Sequence, residues 1–148
     1  MTRPVLFLRI ASALTFIHAV LHTIGGVFGS VDPGPAAVAF AAMKANRFLL
    51  MGNMRSYADF YRGLGLCVTI FLTAESVIFW QLGSLARTDA RRLRPILATF
   101  SIAYCAMAVN SLNYFFLAPV IVEAVIAVLL VLVIVTAQPQ AVAAVPAD

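Results

Sequence analysis

Hydrophobic residues occur along this chain in four long runs, separated by more polar stretches. The runs cover residues 5–29, 63–85, 95–117 and 120–137. A membrane-spanning helix needs about 20 consecutive, mainly apolar residues, and each run is close to that length. Because every backbone polar group must be hydrogen-bonded internally in lipid, such runs are expected to be helical. The pattern therefore predicts an all-α integral membrane protein, a bundle of four transmembrane helices.

The composition also favours a membrane environment. The chain has 148 residues, of which 63% are hydrophobic and 11% are charged, whereas soluble domains contain about 25% charged residues. A soluble fold of this size could not bury so much apolar surface, because small domains have a high surface-to-volume ratio. We expect a single domain over residues 1–137 and a disordered tail at residues 138–148.

The connection between the first two runs, residues 30–61, is much longer than a helical hairpin requires. It opens with the turn-forming sequence Asp32-Pro33-Gly34-Pro35. Residues 36–51 then have the composition of a moderately apolar helix that would lie at the membrane interface and end at Gly52-Asn53. The aromatic residues that follow are suited to the level of the lipid headgroups. The sequence therefore predicts an interfacial helical segment between the first and second spans.

The basic residues predict the orientation of the chain. Four arginines lie in the short connection between the second and third runs and two near the N-terminus: Arg87, Arg91, Arg92, Arg94, Arg3 and Arg9. The other four basic residues lie in the longer connection or directly after it: Lys44, Arg47, Arg55 and Arg62. Lys and Arg are enriched in cytoplasmic loops, so both termini are predicted to be cytoplasmic. Since the basic residues lie in connections and at helix ends rather than on one face, nucleic acid is not expected as a partner.

The two cysteines lie inside apolar runs. The predicted topology places Cys67 and Cys105 at depths that differ by roughly 10 Å, which is too far for a disulfide bond. We expect both to be small buried hydrophobic residues.

Ionisable side chains within a bilayer are costly and usually functional. The runs contain four of particular interest: His18, His22, Glu75 and Glu123. His18 and His22 are four residues apart and therefore share one face of the first helix. Counted from the outer end of each span, they lie roughly 15 and 9 Å deep, and Glu75 lies roughly 18 Å deep. For Glu123, close to the end of its span, a hydrogen bond that fixes helix packing is the favoured interpretation.

We expect these polar groups to converge in the outer half of the bundle. His18, His22 and Glu75 are the candidate catalytic residues, because imidazole and carboxyl groups serve as general acids and bases. The candidate substrate-binding residues come from the third helix and the interfacial segment: Tyr104, Asn110, Asn113, Arg55 and Asp59. Acid–base chemistry of the isomerase, cyclase or lyase type on a lipophilic small molecule would need no cofactor. Arg55 and Asp59 are also spaced to form an exposed ion pair, which would contribute little.

Other interpretations remain open. The chain could be a non-catalytic subunit that binds lipid or a protein partner, with polar groups that only fix helix packing. It could also provide a path for protons or ions, which would require a homo-oligomer to enclose a pore. His18, His22 and Glu75 could hold a metal ion, although no glutamate lies beside the histidines as in a zinc-protease helix. Membrane lipid is an expected partner in every case.

Two stretches in the first half of the chain combine polar residues with glycines. One is His18-Ala19-Val20-Leu21-His22-Thr23-Ile24-Gly25-Gly26, and the other is Gly52-Asn53-Met54-Arg55-Ser56-Tyr57-Ala58-Asp59-Phe60-Tyr61-Arg62-Gly63-Leu64-Gly65. Together they resemble the motifs of a family of small bacterial four-helix inner-membrane proteins. The resemblance implies a location in the bacterial cytoplasmic membrane and marks His18, His22, Arg55 and Asp59 as signature positions. It implies no activity.

Overall fold

The computed structural model describes residues 2–137 and is mainly helical, which agrees with the helical part of the prediction. The helices are α1 (Arg3–Leu21), α2 (Pro35–Ala45), α3 (Tyr57–Asp89), α4 (Arg94–Tyr114) and α5 (Leu117–Thr136). A π-helical segment, His22–Val27, continues α1, and a short 3-10 helix, Ala90–Leu93, joins α3 to α4. The tail at residues 138–148, predicted to be disordered, lies outside the described residues.

Among residues 2–137, three continuous helical stretches are long and apolar enough to cross a membrane: Arg3–Val27, Tyr57–Tyr114 and Leu117–Thr136. The second of these, 58 residues long, contains both α3 and α4. At Asp89 the backbone leaves the helical region, with φ −149° and ψ 90°. Beyond this break, Phe100 of α4 contacts Phe79 of α3. Tyr104, one turn later on α4, contacts Glu75, one turn earlier on α3. The stretch is therefore an antiparallel helical hairpin.

The structure forms two compact units. Of the described residues, the first contains 2–15 and 75–137, and the second is Phe16–Ala74. In the first unit, α4 and α5 pack against each other. Side chains with no exposed surface form its core: Leu8, Phe79, Leu97, Tyr104, Ile126, Leu130 and Val133. The ring of Phe79 meets that of Phe100 edge to face, with 5.1 Å between the centroids.

The first helical run ends differently from the prediction. The regular α-helix stops at Leu21, and six residues of π-helix follow to Val27, whereas the sequence predicted a helix to residue 29. The backbone N–H of Phe28 bonds the carbonyl of Thr23, five residues back, at 3.1 Å. Gly25 and Gly26 lower the preference for α-helix here, and the wider π turn changes which side chains share a face.

In the second unit the predicted interfacial helix is only partly correct. The helix α2 ends at Ala45, and a hairpin follows, in which β1 (Arg47–Leu50) pairs antiparallel with β2 (Asn53–Ser56). Met51 and Gly52 join the strands with φ values of 47° and 81°, as a two-residue type I′ turn requires. The prediction of a helix to residue 51 was wrong because Gly52 closes a turn rather than ending a helix.

The burial predicted for the two cysteines was also wrong. Cys67 and Cys105 are both free and exposed. Runs that are apolar on every side carry no periodicity that separates an inward face from an outward one. A cysteine in such a run can therefore face outward, where lipid would suit it as well as a protein interior does.

Asparagine in place of Met51 should stabilise the hairpin. Met51 has the positive φ that an L-residue adopts at a cost of roughly 1–2 kcal/mol, and asparagine tolerates this region better. Asn-Gly is also a preferred pair in type I′ turns. We expect a gain of about 0.5–1 kcal/mol, measured as slower amide hydrogen exchange in β1 and β2. Met54→Asn, on a strand, is the control and should not slow exchange; equal effects of the two changes would contradict the prediction.

Candidate functional site

Three hydrogen-bonded side chains lie in the interior of the first unit. The Tyr104 hydroxyl donates to Oε2 of Glu75 at 2.8 Å. Its oxygen is also 3.3 Å from the Thr15 hydroxyl, which must donate because the tyrosine proton is already directed to Glu75. Thr15 and Tyr104 have no exposed surface, whereas Glu75 is half-buried. The structure thus brings together two of the predicted site residues, Glu75 and Tyr104.

The Tyr104 ring packs against α3, the helix that carries Glu75. Phe79 lies one helical turn after Glu75 on α3, and its ring centroid is 6.0 Å from that of Tyr104.

Close by, α1 and α3 are joined by two reciprocal hydrogen bonds: Ser12 Oγ donates to the Ser76 carbonyl at 2.8 Å, and Ser76 Oγ to the Ser12 carbonyl at 3.0 Å. Small hydroxyl residues at helix contacts are a known means of holding helices together in lipid, but sequence reasoning missed this pair.

The other polar residues of α4 and α5 lie apart from this chain of hydrogen bonds. Asn110 and Asn113 are exposed, and Asn113 donates to the carbonyl of Val109 on its own helix at 2.7 Å. Glu123 is 3% exposed, deeper than its position near a span end suggested. Ser111 Oγ donates to its Oε1 at 3.1 Å, as expected of a residue that fixes packing. Its Oε2 is buried and has no partner among residues 2–137.

The two histidines belong to the second unit. His22 donates from Nε2 to the carbonyl of Gly65 on α3 at 3.1 Å, and His18 Nδ1 is buried without a partner in the described chain. A Cβ at Gly65 would lie 2.9 Å from Val27 Cγ2, so glycine permits this close approach. The pocket predicted to combine both histidines with Glu75 stays a prediction. No group of three or more metal-ligating side chains occurs among residues 2–137, so the metal alternative gains no support there.

Asp59 caps the N-terminus of α3. Its Oδ2 accepts hydrogen bonds from the backbone N–H and the hydroxyl of Ser56, at 2.8 and 3.0 Å, and its own N–H donates to Ser56 Oγ at 3.2 Å. This reciprocal arrangement is a capping box, and its S-x-x-D pattern is a sequence signal that could have predicted the start of the helix. The bonds from Ser56 lower the pKa of Asp59, which precedes the predicted span. Among the described residues, no ion pair joins Arg55 to Asp59.

An open groove of about 450 Å³ lies beside this cap. The β-hairpin contributes one side and the first turns of α3 the other: Leu50, Met51, Asn53, Arg55, Asp59, Phe60, Gly63 and Leu64. Ligand sites typically have volumes of about 300–1,000 Å³. The volume is thus in the range of a ligand site, and its lining includes Arg55 and Asp59, both predicted to contact a ligand.

Arg9 forms a polar contact that sequence reasoning also missed. Its guanidinium carbon lies 3.4 Å from the centroid of the Trp80 ring, and Nη2 donates to Ser84 Oγ at 3.0 Å. Gly83 lies beside the arginine, where a Cβ would be in ordinary contact with Nε at 3.4 Å. A cation stacked on a tryptophan is a stabilising contact, so Arg9 contributes to helix packing as well as to the charge pattern.

Comparison of the chain with known protein families, with curated proteins and with solved structures finds no match. The resemblance of its two motifs to a bacterial membrane-protein family therefore stays a prediction. Function has to be inferred from the geometry of the side chains.

Proposed function

We propose that the chain crosses the bacterial cytoplasmic membrane four times, with both termini in the cytoplasm, and that Glu75 carries acid–base chemistry on a lipophilic small molecule. The observation on which the chemical part rests is the hydrogen bond from the buried hydroxyl of Tyr104 to Glu75. The bond fixes one carboxyl oxygen. The other oxygen accepts no hydrogen bond from the described residues and is left for a ligand.

The surface of the helices supports the membrane part of the proposal. Large apolar side chains on α5 are exposed along its length: Ile121, Val125, Val128, Val131 and Val135. The mean hydropathy of α5 reaches 3.0, and monomeric soluble proteins rarely expose such a continuous apolar surface. Because α3 and α4 are antiparallel, each supplies one crossing, and with α1 and α5 the number of crossings is four.

The acid–base part follows from how carboxyl groups work in apolar surroundings. A general acid or base must be held within hydrogen-bonding distance of the proton that it transfers. Tyr104 orients Glu75 through Oε2, and Phe79 and Thr15 in turn hold Tyr104 by packing and a hydrogen bond. A half-buried carboxyl of this kind is accessible to an apolar substrate without being surrounded by water. Tyr104 acts here as a positioning residue.

A second candidate function is a non-catalytic subunit that binds lipid or a protein partner. The reciprocal Ser12–Ser76 hydrogen bonds favour it, since they join two helices and involve no free donor or acceptor. On this interpretation, the bond from Tyr104 to Glu75 would be a further packing contact.

Native mass spectrometry of the gently solubilised full chain distinguishes the two functions. We expect the wild type to retain a discrete molecule that is not a phospholipid, Glu75→Gln to lose it, and Glu123→Gln to keep it. The control changes another buried carboxyl of the same unit. If all three proteins carry only phospholipid and differ only in thermal stability, the acid–base proposal is rejected in favour of the non-catalytic subunit.

With the retained molecule as substrate, the kinetic consequences differ between the two residues. Glu75→Gln should lower kcat by about 10²–10⁴-fold, the usual contribution of a general acid or base. Tyr104→Phe should lower kcat less and leave KM nearly unchanged, because it removes only the group that orients the carboxyl. Equal loss of kcat in Glu123→Gln would show that the effect is one of folding.

A further inference from the structure

The groove beside the α3 cap has two different walls. The large apolar side chains of its lining are Leu50 and Met51 on the hairpin and Phe60 and Leu64 on the helix. Phe48 of β1 holds the hairpin against α3, since its ring centroid is 5.7 Å from that of Phe60 and 5.1 Å from that of Tyr57. The groove is therefore a feature of packed secondary structure, and its walls are mainly apolar.

The polar end of the groove offers an arginine with unused hydrogen-bond donors. Arg55 is exposed, and the hydrogen bond that it makes runs from Nη1 to the carbonyl of Met54 at 3.0 Å. The Asp59 carboxylate is already bonded to Ser56. Among the charged residues that line the groove, Arg55 is therefore the one with donors left for a ligand. An anion would find unused donors on Arg55, which bind a phosphate well because they lie in one plane.

The tip of the hairpin is exposed and apolar. Met51 is 95% exposed and Leu49 68% exposed, which would be unfavourable in water but suits the boundary between headgroups and acyl chains. A ligand of this groove therefore meets a cation at one end and apolar side chains at the other. An amphiphile with an anionic head has the matching chemistry.

We propose that this groove binds one anionic phospholipid, with its phosphate at Arg55 and the first methylenes of its acyl chains along Phe60 and Leu64. The site rests on the membrane crossing proposed above but is independent of the acid–base chemistry proposed for Glu75. It would hold the hairpin at the membrane surface and fix the start of α3 at the level of the headgroups.

Native mass spectrometry of the full chain in a neutral detergent tests the proposal, with phosphatidylglycerol and phosphatidylcholine as the two probes. We expect the wild type to bind phosphatidylglycerol about fivefold more tightly than phosphatidylcholine, because one Lys or Arg typically contributes this much toward anionic lipid, whereas the choline cation offsets the phosphate charge of phosphatidylcholine. Arg55→Gln should abolish this preference. Arg87→Gln, which removes an exposed arginine from the same helix, should preserve it.

A change at the apolar end gives a second, independent readout. Leu64 is 67% exposed on α3, so Leu64→Asn should leave the fold intact, weaken the binding of both lipids and keep the preference for phosphatidylglycerol. The proposal is overturned if the wild type does not prefer the anionic lipid, or if Arg55→Gln and Arg87→Gln lose the preference equally. Displacement of the lipid by millimolar inorganic phosphate would also overturn it, because the site would then recognise a free anion.

Discussion

Replacing Phe79 by alanine is expected to lower the free energy of unfolding by about 2–3 kcal/mol. The side chain has no exposed surface and packs against the rings of Phe100 and Tyr104. In soluble proteins a buried Phe→Ala change costs about 3–5 kcal/mol, from lost transfer energy and the cavity left behind. The transfer part shrinks when the unfolded helices remain in lipid, which is as apolar as the interior, so the cavity and the lost contacts account for most of our value.

Phe71 provides a matched control, because it lies on the same helix and is 68% exposed. Phe71→Ala should change stability by less than about 0.5 kcal/mol, as surface substitutions usually do. Unfolding in mixed micelles with increasing SDS, followed by circular dichroism, gives both values. Equal losses for the two variants would mean that Phe79 is not in a packed core. Phe79→Ala should also loosen Tyr104, so the ligand that Glu75 is proposed to hold should be retained less well.

The helices of this chain could be predicted from sequence because each apolar run is longer than any turn or strand would need. The run at residues 95–117 corresponds to α4, Arg94–Tyr114, and the run at residues 120–137 to α5, Leu117–Thr136. The ends of these helices differ from the predicted ends by a few residues, because hydrophobicity changes gradually where a helix ends. That these helices cross a membrane remains an inference from their surfaces.

The hairpin could not be predicted in the same way. Its strands are four residues each, too short to show an alternating pattern, and its turn places a methionine at positive φ. Methionine is not a residue that signals a type I′ turn. The start of α3, in contrast, was predictable, because Ser56 and Asp59 have the spacing of a capping box.

Only part of the candidate site could be found from sequence. Glu75 precedes the turn between α3 and α4 by about as many residues as Tyr104 follows it. Their proximity was therefore predictable. Which residues face inward was not, because these helices are apolar on all sides. Asn110 and Asn113 were expected in the site for their polarity, yet both are exposed. The serines that join α1 and α3 carried no distinguishing signal of their own.

Arg94→Ala should destabilise the chain by about 2 kcal/mol, the usual loss for hydrogen bonds from a charged group. Its Nε donates to the carbonyl of Ile134 at 3.1 Å and its Nη2 to that of Ala137 at 3.0 Å. These carbonyls lie at the end of α5, where the last turn has no N–H partners of its own. The positive charge also lies at the negative end of the helix dipole and is attracted to it. Removing the side chain leaves two carbonyls unsatisfied in a poorly hydrated place.

Arg92→Ala is the matched control, because it removes the same charge from the same connection. The Arg92 side chain is 87% exposed and pairs with Asp89 at 3.0 Å, a surface ion pair worth about 0–1 kcal/mol. Since both variants lose one arginine, any effect on membrane orientation is shared, and a difference in SDS unfolding isolates the cap on α5. Arg94→Lys should recover about half of the loss, because a lysine ammonium is a point charge that cannot span both carbonyls as the guanidinium does. Equal destabilisation by Arg94→Ala and Arg92→Ala would show that the connection contributes through its charge alone, and the capping role of Arg94 would have to be abandoned.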